Sequence, residues 1–148
     1  VQYAGTTQAP ARAQVRRWVA AALAAVAPAR NSVFTVRFVG SREGRALNHA
    51  HRGRDYATNV LTFNLHEEAP AALAATLPVL ADIVVCLPVV QREAREQGKT
   101  MTAHLAHMIV HGVLHAHGYD HQNDAQARRM EGLERAVLAR FRVADPYL

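Results

Sequence analysis

Apolar residues along this chain recur with two different periods, and the alternation of those periods predicts an α/β protein. Between Pro10 and Ala27, the residues Val15, Trp18, Val19, Ala22, Leu23 and Val26 fall at spacings near three and four, as one buried face of a helix requires. From Val33 to Val39 the period drops to two. Val33, Thr35, Arg37 and Val39 alternate with Phe34, Val36 and Phe38, which predicts a strand. Val1 to Ala4 reads as part of an edge strand. Ser41 is suited to cap a short helix from Arg42 to about Ala50, and Asn59 to Phe63 reads as another strand. His66 to Leu80 is rich in Ala and Pro and predicts a surface excursion with one helical turn. Ala81 to Leu87 (ADIVVCL) is apolar without alternation, so it predicts a strand buried on both faces. Pro88 fits the first turn of a helix that runs to Gln97 and is closed by Gly98. Thr100 or Thr102 can cap the next helix, which runs to about His117 and ends at Gly118. Asp124 to Phe141 places Met130, Leu133, Val137, Leu138 and Phe141 on the apolar side of a last helix. The pattern amounts to about four strands and about five helices in one sheet-and-helix arrangement, with strand order left open.

Composition narrows the class. At 148 residues, half of them apolar and 20% charged, the chain fits one soluble globular domain spanning 1–148. No apolar run reaches the roughly 20 residues that a membrane helix needs. Ala20 to Ala27, preceded by Arg16 and Arg17, mimics a signal peptide, but its helical pattern and its place behind Val1 to Gln8 favour a helix of the domain. The single cysteine, Cys86, excludes a disulfide framework within the chain and fits the reducing cytoplasm. Its apolar surroundings point to a buried small side chain. Seventeen basic against twelve acidic residues give a net charge of +5, which suits a polyanionic partner such as nucleic acid or serves solubility alone.

The chemistry concentrates in one segment. Six of the nine histidines lie between His104 and His121, in HLAHMIVHGVLHAHGYDH. His111 and His115 are four apart, so a helix stacks them with Cβ atoms about 5–6 Å apart, close enough for both imidazoles to reach one ion. Gly118 can take positive φ and turn the chain, bringing His121 back to the same side. Three imidazoles leave a fourth position for water, the make-up of a catalytic zinc site holding one ion per chain, although imidazole also suits nickel, copper and iron. His104 and His107 lie near the same face, to line the pocket or to pack. His117 falls on the opposite side and is expected at the surface. Asp120 is placed either to receive a hydrogen bond from a ligand imidazole or to cap the following turn. The spacing H-x3-H-x2-G-x2-H is that of the metzincin proteases, which need a Glu beside the first His as general base. Here that position is Gly112, which argues against a peptidase unless Glu67, Glu68, Asp82 or Asp120 takes over.

HGVLHAHGYDH resembles the signature of the YbeY family of bacterial zinc-dependent endoribonucleases. LNHAHRGRDYATNVLTF (Leu47 to Phe63), ADIVVC (Ala81 to Cys86), REAREQGK, AHLAHMIVHG and MEGLE (Met130 to Glu134) continue the likeness in order and spacing. Ala81 stands where the family usually has glycine, and Ala116-His117 replaces an apolar pair. The resemblance implies a single α/β domain with a small mixed, mostly parallel sheet, and a metal site of His111, His115 and His121 on a histidine-rich helix and the turn after it. It also implies a pocket arginine at Arg52, and work on ribosomal RNA and ribosomal particles, at the 3′ end of the small-subunit RNA and in ribosome quality control, with ribosome-associated proteins as further partners. Arg52 would offer its planar fork to phosphate oxygens. Arg42, Arg45, Arg54 and Lys99 would either follow the RNA backbone or stay solvated. The competing classes are a metallohydrolase of other specificity and a non-catalytic ribosome-assembly factor. Structural zinc generally has four protein ligands, and only three are in sight here.

Overall fold

The computed structural model describes residues 1–5, 8–26 and 31–148. Among these, four strands form one sheet in the order β1-β2-β4-β3: β1 (Gln2–Tyr3), β2 (Ser32–Val39), β3 (Val60–Asn64) and β4 (Val79–Cys86). β2 runs parallel to β1 and β4, and β3 runs antiparallel to β4. Six helices accompany it: α1 (Arg12–Val26), α2 (Ser41–Arg52), α3 (Ala71–Ala74), α4 (Leu87–Glu96), α5 (Met101–Ala116) and α6 (Asp124–Ala139). The expected α/β layout with a mostly parallel sheet is the one found.

β4 is an inner strand, hydrogen-bonded on both edges and covered on both faces, which is why its sequence is apolar without alternation. Val36 and Phe38 of β2 stand beside Ile83 and Val85 of β4 and join Val15, Trp18, Ile109, Val113 and Leu138 in the main core. The other face holds a smaller cluster of Val39, Leu61, Val84, Cys86 and Val89. Cys86 is 1% exposed, and burial pushes its thiol pKa upward, so it is a packing residue. Helix α5 crosses the main face at the centre of the domain, against α1, α4, α6, β3 and β4. Leu105, Ile109, Val113 and Leu114 are buried there, each contributing about 1.5–3 kcal/mol of apolar burial.

Several boundaries differ from the sequence pattern for identifiable reasons. Ser41 is the first residue of α2, not its cap; extended Gly40 precedes it. The helix continues to Arg52 and closes at Gly53, whose φ of 69° lets its N–H reach the His49 carbonyl at 2.9 Å. Arg52 is therefore the last residue of a helix. β4 begins at Val79 because Ser32↔Val79 opens its pairing with β2, a contact without local signal. β3 is shifted by one residue, to Val60–Asn64. The helical turn of the 66–80 excursion is α3, which accounts for six helices where about five were expected. α1 starts at Arg12, and Ala27, its expected end, lies outside the described residues. Thr100, not Thr102, caps α5, its side chain accepting from the Ala103 N–H at 3.1 Å.

Candidate metal centre

The C-terminal half of α5 carries His111 and His115 one turn apart, their rings stacked at 6.0 Å between centroids. The helix stops at Ala116, and Gly118 turns the chain with φ +88° while the Tyr119 N–H returns to the Leu114 carbonyl at 3.2 Å. That turn places the His121 ring 5.7 Å from His111 and 6.3 Å from His115. The three imidazoles are thus neighbours. Rings bound to a tetrahedral ion with Zn–N near 2.0–2.1 Å would sit roughly 5 Å apart, somewhat closer than these.

Hydrogen bonding orients two of these rings. His111 Nδ1 lies 3.1 Å from Glu134 Oε1, and His115 Nδ1 lies 2.9 Å from the Tyr119 carbonyl oxygen. Both acceptors require the proton on Nδ1, which leaves the Nε2 lone pair free on each ring. Among the described residues no protein group meets either Nε2. Such a division of the two nitrogens is how ligand histidines are held. Asp120 serves differently: its Oδ1 accepts from the His121 backbone N–H at 2.8 Å, while the His121 ring nitrogen is 3.6 Å away, too far for a good hydrogen bond. It caps the turn.

Glu134 on α6 is fully buried. Its carboxylate also receives His107 Nε2 in a very short contact and the Tyr147 hydroxyl at 2.8 Å. Burial works against its ionisation, but hydrogen bonds from His107 and His111 outweigh burial and bring its pKa down to about 2. Partial burial and the adjacent carboxylate push the Tyr147 phenol upward, so it remains a donor. His107, His111 and Glu134 present donor atoms within 4.8 Å of one another, a second set that could hold a metal ion and that shares His111 with the first. The nitrogens of this set are already bonded to the carboxylate, and it lies inside the α5–α6 interface.

The remaining histidines of α5 pack. His104 is 3% exposed and its Nε2 is 3.1 Å from Glu93 Oε1, which also receives Asn59 Nδ2 at 2.9 Å, tying α5 to α4 and to the residue before β3. His117, expected at the surface, is half-buried: it stacks on Phe34 at 5.7 Å, and its Nδ1 is 2.8 Å from the Val113 carbonyl oxygen. Phe34 of β2 covers this ring just past the end of α5, so that side is not solvent.

Beside His115 opens a cavity of about 300 Å³ lined by His51, Arg52, Thr62, Asn64, Glu67 and Asp120, among others. Of the carboxylates considered for activating water, Glu67 and Asp120 line it; Glu68 and Asp82 do not. Asn64 joins β3 to the end of α5, its Nδ2 donating to the Ala116 carbonyl at 3.0 Å and its Oδ1 accepting from the His66 N–H at 3.0 Å. Most of the other cations considered for the RNA backbone are engaged. Arg45 forms a two-pronged pair with Asp55, both bonds 2.8 Å; Arg54 donates to the Tyr56 hydroxyl; Lys99 donates to the Pro146 carbonyl. Arg52 is exposed at the cavity wall and has no ion pair or hydrogen bond among the described residues. Gly112 faces the sheet. A Cβ there would meet Ile83 Cγ2 at 3.1 Å, Ile83 Cδ1 at 3.2 Å and Thr62 Oγ1 at 3.4 Å. The position that holds the metzincin base is here pressed onto the sheet.

Glu134, Tyr147 and Asn64 were not singled out for the site by sequence pattern. Glu134 ends the MEGLE block, a signal that could have been followed; Tyr147 and Asn64 carry no local mark.

An α/β domain whose central helix brings His115 to a cavity walled by an arginine without an ion pair among the described residues has the layout of a small hydrolase. The family model described as Endoribonuclease YbeY matches residues 2–142. Proteins named Endoribonuclease YbeY from Alkalilimnicola ehrlichii and Thiobacillus denitrificans are 54% and 53% identical to this chain, covering 99% of it and 89% and 93% of their own lengths. The solution structure of TM1509 from Thermotoga maritima shares the fold, with a TM-score of 0.63 at 24% identity over 98% of this chain and 96% of that one. The chain belongs to the YbeY endoribonuclease family.

Proposed function

We propose that this chain is a zinc-dependent endoribonuclease that cleaves single-stranded ribosomal RNA, maturing the 3′ end of the small-subunit RNA and serving ribosome quality control in the cytoplasm. His111, His115 and His121 hold one zinc ion, and Arg52 binds the phosphate. One observation carries the assignment: His111 and His115, whose Nε2 atoms have no protein partner among the described residues, stand with the His121 ring beside them, and His115 lines a cavity that Arg52 also lines. The His107–His111–Glu134 set is less suited to catalysis, since its nitrogens are occupied and no substrate reaches a fully buried carboxylate. Family membership supports RNA as substrate, and the net charge of +5 agrees with it.

Zinc bound at the triad would supply Lewis acidity toward a phosphoryl oxygen and toward water. Arg52 supplies a planar, permanently charged fork to two phosphate oxygens and stabilises the charge that develops as water adds to phosphorus. The bond from phosphorus to the ribose oxygen of the leaving strand then breaks, and that oxygen takes up a proton. Glu67 lines the cavity without an ion pair among the described residues and is the carboxylate available to receive the proton from water. A cavity near 300 Å³ is at the lower end of ligand-site sizes and contacts few nucleotides. Ribosomal particles and ribosome-associated proteins supply the remaining specificity.

The test is cleavage of small-subunit precursor RNA, free and within ribosomal particles, by protein of measured zinc content. Cleavage is expected to follow zinc content, to vanish in His115→Ala, and to vanish in Arg52→Glu while zinc is retained. Full zinc occupancy without cleavage in either setting would leave a non-catalytic assembly factor. Undiminished cleavage by Arg52→Glu would remove the arginine from the mechanism.

A further inference from the structure

The buried carboxylate on α6 is used by none of the steps above, yet it touches the metal centre from behind. We infer that Glu134 is a positioning residue for the metal centre: it determines which nitrogen of His111 is left free to bind the ion, and Tyr147 holds it in place. The inference rests on His111, His115 and His121 being the ligands.

The argument begins with donors and acceptors. Glu134 is fully buried and accepts from three side chains: His111 Nδ1, His107 Nε2 and the Tyr147 hydroxyl. An acceptor at His111 Nδ1 keeps the proton on that nitrogen and leaves Nε2 as a lone pair, the form a metal ligand needs. The same logic orders His107. Its Nε2 donates to the carboxylate, so its Nδ1, which is buried without a partner, is a lone pair and not a stranded N–H. The carboxylate thus sets the tautomers of two rings on α5, and the ring edges of His107 and His111 meet at 6.3 Å.

The third donor comes from the far end of the chain. Arg135 donates to Asp145 at 2.7 Å and lies 5.3 Å from the centre of the Tyr147 ring, while the Tyr147 N–H returns to Asp145 Oδ1 at 2.8 Å. Lys99 adds a bond to the Pro146 carbonyl at 3.3 Å. These contacts fold residues 145–147 against α6 so that the phenol closes over the carboxylate. The metal centre therefore has a support running from the tail through Glu134 to His111. His115 is held separately, by the Tyr119 carbonyl.

A carboxylate that merely joins α5 to α6 would affect folding and leave zinc affinity alone, and that difference is measurable. Zinc affinity is determined by competition with a chromophoric chelator for the wild type, Glu134→Gln, Tyr147→Phe, His107→Gln and His115→Ala, with thermal melts of the zinc-free proteins alongside. Glu134→Gln presents an NH2 group to one of the two rings and should lower affinity by about 10–100-fold, as loss of such supporting partners does. Tyr147→Phe, which alters only the outer contact, should weaken binding by a smaller factor with the melt preserved. Nitrogen-15 spectra of the zinc-free wild type should place the His111 proton on Nδ1. Wild-type zinc affinity in both Glu134→Gln and Tyr147→Phe, with binding lost in His115→Ala, overturns the positioning role and leaves the triad standing. A His111 proton on Nε2 also overturns it, whether or not Glu134→Gln folds. Unchanged affinity in His115→Ala, with loss in Glu134→Gln and His107→Gln, puts the ion in the buried donor set and overturns both assignments.

Discussion

Replacing Gly112 by alanine should destabilise the protein, although alanine is the better helix former. In a helix interior the exchange is worth about 1 kcal/mol in favour of alanine. Against it stands the packing of α5 on the sheet: the new methyl would sit 3.1 and 3.2 Å from two carbons of Ile83, where carbons at rest prefer about 3.5–4.0 Å. Ile83 is fully buried on β4, between β2 and β3, and has little room to retreat. Overpacking of this kind costs about 1–3 kcal/mol, so the expected net loss is about 1 kcal/mol, or roughly 2–4 °C in Tm for a chain of this size. Gly112→Glu, which restores the metzincin pattern in sequence, should be far worse. It drives a carboxylate against Ile83 with no cation opposite, at a cost of several kcal/mol, comparable to the total stability of a typical domain. Urea unfolding followed by far-UV circular dichroism measures both variants, and a peptide-hydrolysis assay accompanies the second. A Gly112→Ala midpoint at or above the wild type would refute the packing argument. A folded Gly112→Glu protein that hydrolyses peptides would refute the claim that this position is packed against the sheet.

Two further outcomes follow from the hydrogen bonds. Asn64→Ala removes the acceptor of the His66 N–H and the donor to the Ala116 carbonyl, and should cost about 1–3 kcal/mol in urea unfolding; an unchanged midpoint would show that water replaces both bonds. His104 should contribute to acid lability: burial lowers its pKa below the ordinary value, with Glu93 opposing. The unfolded chain therefore binds the proton first, and the stabilising contribution, complete above the unfolded value near 6.5, is lost as pH falls toward the lower folded value. Between pH 7.5 and 5.5 the wild type should lose more stability than His104→Gln, and equal losses would contradict the assignment.

Much of the candidate centre was legible in residue order because it depends on local geometry. A helix places residues four apart on one face whatever surrounds it, and glycine admits positive φ in any setting, so His111, His115, Gly118 and His121 could be read directly. The apolar run of β4 likewise announced an inner strand, since burial on both faces leaves no polar phase. Sequence by itself therefore determined the α/β class, the histidine-bearing helix and, through ordered blocks from Leu47 to Glu134, the family. Tertiary structure alone decided the strand order β1-β2-β4-β3, the direction in which Gly112 faces, and the half-burial of His117 against Phe34. It also decided that Arg52 has no ion pair among the described residues while Arg45 finds Asp55, and that Glu134, 23 residues beyond His111, closes on its ring. Each of these joins residues far apart in the chain or selects one partner among several, and no local period encodes such a choice. It is settled only when α5 and α6 pack together and the sheet forms beneath them.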